Sequence, residues 1–125
     1  LLLNFDSDKP IFIQIADGIK DAILSGAFPE ESQIPSITEF SINYKINPAT
    51  ALKGINILVE AGIVYKKRGV GMFVSQGAVE KLREQRKEHF YEDFINKLVV
   101  EAKRLQLTEN DIKNMIERGF KSEGN

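Results

Sequence analysis

Three cations run together at Lys66, Lys67 and Arg68, directly before Gly69-Val70-Gly71. Positive charge beside a glycine tip suits a polyanion: Lys and Arg neutralise phosphates and release counterions, and glycine lets a backbone approach closely. Upstream stand Asn47-Pro48-Ala49-Thr50 and then Lys53. At helical spacing these can meet base edges, Thr50 touching a thymine methyl or a phosphate and Lys53 a phosphate or a guanine. Ser36 and Thr38 open another short apolar-periodic segment, where free amides and a positive dipole end suit a phosphate oxygen. Each group also has a plainer role. Ser36 and Asn47 can simply cap helices, Thr50 can be a solvated helix residue, and a basic run can be a solvated hairpin edge. Three adjacent cations next to a glycine tip favour phosphate contact or minor-groove insertion.

The formal charge of -1 argues superficially against a nucleic-acid partner, but distribution matters more than the sum. Between Ile42 and Ser75 the cations Lys45, Lys53, Lys66, Lys67 and Arg68 face Glu60 alone. The acids Asp6, Asp8, Asp17, Asp21, Glu30 and Glu31 lie elsewhere and can be turned away from a polyanion. Enzyme chemistry finds no support. There is no GxxxxGK phosphate loop or nucleophile elbow, and the single imidazole, His89, has no acid or nucleophile arranged around it. With no cysteine and one histidine, no metal is expected.

The 125 residues amount to one domain with an appendage, and 42% hydrophobic and 28% charged content are ordinary for a globular chain. No apolar run reaches the roughly 18 residues that cross a bilayer, so no membrane partner is expected. Leu1-Leu2-Leu3 has no basic leader or cleavage site, which argues against secretion, and the missing initiator Met suggests trimming.

The elements that must position these residues are legible in order. Phe12, Ile15, Ile19, Ala22 and Ile23 form one apolar helix face ending at Gly26. Ser36 with Glu39 makes a capping box for a second helix, with Ile37, Phe40 and Ser41 inward, that ends near Tyr44. Asn47-Pro48 starts a third helix running to about Ala61, with Ala51, Leu52, Ile55, Leu58 and Val59 expected inside and Gly62 as its left-handed stop. Only Lys45 and Ile46 link the second and third helices, which forces a steep crossing. Residues 63–67 and 72–75 are strand-capable around Arg68-Gly69-Val70-Gly71. The fold class is therefore mostly α with a small β-hairpin: a winged helix-turn-helix over residues 1–76, then a two-helix tail over 77–125. The first tail helix is expected to run from Gly77 or Ala78 to about Gln106, with Val79, Leu82, Phe90, Phe94, Leu98, Ala102 and Leu105 on one face. Thr108 with Asp111 caps the second, Gly119 is expected to end it, and residues beyond Phe120 are expected to fray.

In that order, Pro10-Ile11-Phe12-Ile13-Gln14-Ile15, Gly26, Ile34-Pro35-Ser36, Ile46-Asn47-Pro48-Ala49-Thr50, Gly62-Ile63-Val64 and Arg68-Gly69-Val70-Gly71-Met72-Phe73-Val74 resemble the GntR superfamily of bacterial transcription regulators. The short helical tail is similar to that of the YtrA-like subfamily, whose members dimerise through it. The resemblance implies a cytoplasmic repressor that binds double-stranded operator DNA as a homodimer, without naming an effector. Ser36, Thr38, Asn47, Ala49, Thr50, Lys53, Lys66, Lys67, Arg68, Gly69 and Gly71 are then the expected DNA-binding residues. The chain is too short for the aminotransferase-like domain of some relatives, so no pyridoxal or other cofactor is expected. It departs from the family pattern at Thr38 and Pro48, where Arg is common, and Lys53 and the wing are the expected compensation.

Phe90, Tyr91 and Phe94 have too little chain around them to be buried in one protomer, so a dimer interface is expected at Leu82, Phe90, Tyr91, Phe94, Leu98, Ile112, Met115 and Ile116. Two-fold pairing would set two reading helices on an inverted repeat. The competing reading is a winged-helix adaptor that binds protein through this tail and leaves the wing solvated. The scarcity of acids between Ile42 and Ser75 speaks against it.

Overall fold

The computed structural model describes residues 1–123. Its elements run α1 (Ile11–Ser25), α2 (Ile37–Tyr44), α3 (Pro48–Glu60), β1 (Val64–Lys67), β2 (Gly71–Val74), α4 (Ala78–Phe90), a π turn (Tyr91–Ile95), α5 (Asn96–Arg104) and α6 (Glu109–Glu123). Helices and one antiparallel hairpin appear in the expected order. The chain divides into two compact units, Leu1–Gln85 and Arg86–Asn125.

In the first unit the core gathers one face of α1 (Ile15, Ala16, Ile19, Ile23), Phe40 of α2, the inner face of α3 (Ala51, Ile55, Leu58) and Val64 and Val74 of the hairpin. Burying each large aliphatic side chain contributes about 1.5–3 kcal/mol relative to exposure. Gly54 makes the α1–α3 crossing possible. A Cβ there would lie 2.7 Å from the Phe12 carbonyl oxygen and 3.1 Å from Ile15, so the bare backbone is what lets the helices approach. Ala78 and Leu82 complete this core, which is why the unit extends into α4 and past residue 76. Leu82, expected at a dimer interface, is 1% exposed, and its side chain is used inside its own protomer.

The end of α3 follows the expected chemistry. α3 stops in a paired motif in which Gly62 N–H donates to Val59 O at 3.0 Å and Ile63 N–H to Leu58 O at 2.9 Å, with Gly62 at φ +74°. Leu52 and Val59 differ from expectation. They are 43% and 36% exposed, because the inner face of α3 is already filled by Ala51, Gly54, Ile55 and Leu58.

In the second unit the long helix is not uniform, since residues 91–95 form a π turn between α4 and α5. Around it Phe90, Tyr91 and Phe94 are more than half exposed, with the Phe90 and Phe94 rings 5.2 Å apart. The box at Thr108 and Asp111 forms: Asp111 N–H donates to Thr108 Oγ1 at 3.1 Å, and Thr108 N–H to Asp111 Oδ2 at 2.9 Å. α6 does not end at Gly119 but runs to Glu123, helped by Lys121 on Glu117 at 2.8 Å, so the fraying expected after Phe120 is absent through Glu123. The same expectation for residues 124 and 125 lies outside the described residues. Among the described residues no helix is long and apolar enough to cross a membrane.

Candidate nucleic-acid interface

α2 begins in a reciprocal box: Glu39 N–H donates to Ser36 Oγ at 3.0 Å, and Ser36 N–H to Glu39 Oε1 at 3.1 Å. A carboxylate thus occupies part of the amide-rich helix start expected to suit a phosphate. Thr38 is exposed beside it, and the Ser36 hydroxyl keeps its own proton to donate.

The turn to α3 is held by Ser41, whose hydroxyl donates to Ile46 O at 2.6 Å while Ile46 N–H returns to Ser41 O at 3.1 Å. Lys45 takes the left-handed conformation at φ +53°, which lets two residues reverse the chain. Asn47 then caps α3 by accepting from Ala49 N–H at 2.8 Å, and its amide N–H groups remain available as donors.

Successive α3 residues turn by about 100°. Opposite the buried face, Ala49, Leu52, Lys53 and Asn56 are exposed, and Thr50 is half-buried at the margin. Lys53 leans to the α1 side, its Nζ 4.2 Å from the centroid of the Phe12 ring. Leu52 and Asn56 are absent from the residues expected at this face. The spacing of seven from Ala49 is a signal that points to Asn56, whereas Leu52 reads as core from sequence because it is apolar.

The wing pairs Val64 with Val74, Tyr65 with Phe73, Lys66 with Met72 and Lys67 with Gly71. At its tip Val70 N–H donates to Lys67 O at 2.9 Å across Arg68-Gly69, and Gly69 sits at φ +76°, where a type II turn favours glycine. Tyr65 and Phe73 stack at 5.8 Å, and Lys67 Nζ lies 4.8 Å from the Phe73 ring centroid. Lys66, Lys67 and Arg68 are exposed and make no ion pair among the described residues, so their charge is available to a ligand.

Two further residues support the wing without any motif to announce them. Gln33 forms a bridge to Phe73, and its Nε2 donates to Val70 O at 3.1 Å, reaching the tip by lying over Gly71, where a side chain would collide with it. Glu30 accepts from Gly77 N–H at 2.9 Å and Val79 N–H at 3.0 Å, capping α4 just after the wing. The Gly77 bond, then the Val79 bond, holds its carboxyl below the ordinary 4.5. Gln14 ties down the segment before α1 in the same way, bonding Asn4 in both directions at 2.7 and 2.8 Å and donating to Lys9 O at 2.8 Å.

This geometry has relatives. The sequence pattern of bacterial regulatory proteins of the gntR family matches residues 13–74. The chain is 31% identical to the HTH-type transcriptional regulator YhcF of Bacillus subtilis, over 87% of this chain and 88% of that one. It is 29% identical to the HTH-type transcriptional repressor YtrA of the same organism, over 77% and 73%. A GntR-family regulator structure from Bacteroides thetaiotaomicron superposes with a TM-score of 0.70 at 31% identity, covering 90% of this chain and 97% of that one. Taken with the winged helix-turn-helix built above, these likenesses identify the chain as a member of the GntR family of bacterial transcriptional regulators, in its YtrA-like group, and not an enzyme.

Proposed function

We propose that this regulator is a repressor that binds an inverted-repeat operator as a homodimer. In this reading residues 1–76 carry the DNA contacts. α3 enters the major groove with Ala49, Thr50 and Lys53 toward the duplex, while the Asn47 amide, Ser36 and Thr38 grip the flanking backbone. Lys66, Lys67 and Arg68 reach phosphates or the minor groove, and Gly69 and Gly71 keep the tip slim enough to approach. The observation that carries this reading is the wing: three exposed cations without ion pairs among the described residues, beside a turn built on glycine.

Residues 77–125 carry dimerisation in the same reading. Phe90, Tyr91, Phe94, Met115 and Ile116 are 42 to 63% exposed, and Leu98 and Ile112 are half-buried. Apolar area of this kind is more stable against a second copy than in water. Repression is supported by the related YtrA protein, which is a transcriptional repressor by name.

A titration of random-sequence duplex DNA across salt concentrations tests the DNA half. Affinity that falls steeply with salt supports groove binding, and no measurable affinity at low salt refutes it in favour of a protein adaptor. Sedimentation at micromolar concentration tests the other half, since a monomer there removes the homodimer.

A further inference from the structure

The outward face of α3 carries no guanidinium. Its cation, Lys53, is drawn to one edge by the Phe12 ring, so the middle of the face belongs to Ala49, Leu52 and Asn56. Ala49 and Asn56 lie on nearly one line two turns apart, with Leu52 beside it on the edge away from Lys53. Leu52 is an aliphatic side chain left 43% exposed on a helix whose inner face is fully packed, so its packing in the protomer does not account for it. Asn56 is exposed and has no hydrogen-bond partner among the described residues.

We infer that Leu52 and Asn56 set the base preference of this protein, reading A·T pairs in the major groove. This rests on the regulator reading above and adds which bases are read. An aliphatic surface matches the C5 methyl of thymine, and an amide matches adenine, whose N6 donates while N7 accepts. Guanine is read by Arg or Lys; this face has no Arg, and its Lys53 is held at the edge by the Phe12 ring, where it meets a phosphate rather than the middle of the groove. Glu60, exposed one turn beyond Asn56, ends the contact, because its carboxylate would face phosphates. From Ala49 to Asn56 the helix rises roughly 10 Å, which covers about three base pairs. The half-site therefore has an A·T-dominated core of that length under α3, in addition to whatever the wing selects by shape.

Selection of bound fragments from random duplex DNA with the full chain gives the half-site. Deoxyuridine is then placed at each thymidine in turn, and 7-deazaadenine at each adenosine. The expected result is a loss of about threefold to fivefold for at least one missing methyl with the wild-type chain, from the transfer free energy of one methyl-sized group. Leu52→Ala should be indifferent to the same replacement. For 7-deazaadenine the expected loss is about tenfold at one position, abolished in Asn56→Ala. Both positions are exposed on a formed helix, so both variants fold, and circular dichroism checks that they do. A selected core dominated by G·C pairs overturns the inference, as does a Leu52→Ala protein that responds to deoxyuridine like the wild type. In either case salt-dependent binding to random duplex persists and the regulator reading stands. Absence of that binding overturns both.

Discussion

Replacing Gly54 by Ala should destabilise the protein, although Ala is the better helix former. The new methyl would sit 2.7 Å from the Phe12 carbonyl oxygen and 3.1 Å from Ile15 Cβ and Cγ2. Non-bonded heavy atoms rest at about 3.5–4.0 Å, so α1 and α3 must separate by roughly 0.8 Å at their crossing to relieve the contact with the Phe12 oxygen. Overpacking of this kind costs about 1–3 kcal/mol. Ala in place of Gly in a helix offsets up to about 1 kcal/mol. Because the clash is with a backbone carbonyl rather than a flexible side chain, the cost lies at about 2–3 kcal/mol, and the difference is a net loss of about 1–2 kcal/mol, or a fall in Tm of roughly 3–6 °C per kcal/mol for a chain of this size. Gly119 in α6 is the internal control, because among the described residues nothing lies within 4 Å of where its Cβ would be. Gly119→Ala should raise stability by about 0.5–1 kcal/mol from helix propensity alone. Urea unfolding followed by circular dichroism measures both. A Gly54→Ala midpoint equal to or above that of the wild type would refute the account of the α1–α3 crossing.

Replacing Lys66, Lys67 and Arg68 together by Ala should make the slope of log affinity against log salt less negative by about 0.9 for each phosphate no longer neutralised, and an unchanged slope would remove the wing from the DNA. Glu30, held below its ordinary 4.5 by the Gly77 and Val79 amides, stabilises the fold fully above that value, and its contribution is lost as pH falls through the depressed folded value. Glu30→Gln should therefore lower the urea midpoint at neutral pH and flatten its decline as pH falls through and below 4.5, and identical acid limbs in the two proteins would contradict the capping role. Phe90→Ser with Phe94→Ser should shift sedimentation at micromolar concentration toward monomer while leaving the helix signal of the winged unit, and an undiminished dimer would relocate the interface.

Local chemistry makes much of the fold legible. Asn47-Pro48, Ser36 with Glu39, Thr108 with Asp111, and Gly62 act within a few residues of themselves, so their helix ends can be read without knowing what packs nearby. The π turn at Tyr91–Ile95 has no such marker, and Gly119 inside α6 shows that a glycine stops a helix only when its surroundings require it. Leu82 and Leu52 are both apolar at helical spacing, yet one lies in the core and the other faces out. Periodicity gives the direction of an apolar face but not which neighbour covers its edges.

What the chain order alone determined, then, is the run of helices, the tight turn, the hairpin and the basic tip, because each depends on backbone conformations and on charges adjacent in sequence. Tertiary structure decided how those parts are held. Glu30 reaches across 47 residues to cap α4, Gln33 across 37 to brace the wing tip, and Phe12 draws Lys53 to one edge of α3. These contacts link side chains to distant backbone or rings, and only folding brings such groups within hydrogen-bonding or ring-contact range. The exposed Leu52 and Asn56 follow from the same cause: they are what remains on α3 once α1, α2 and the hairpin have taken the rest.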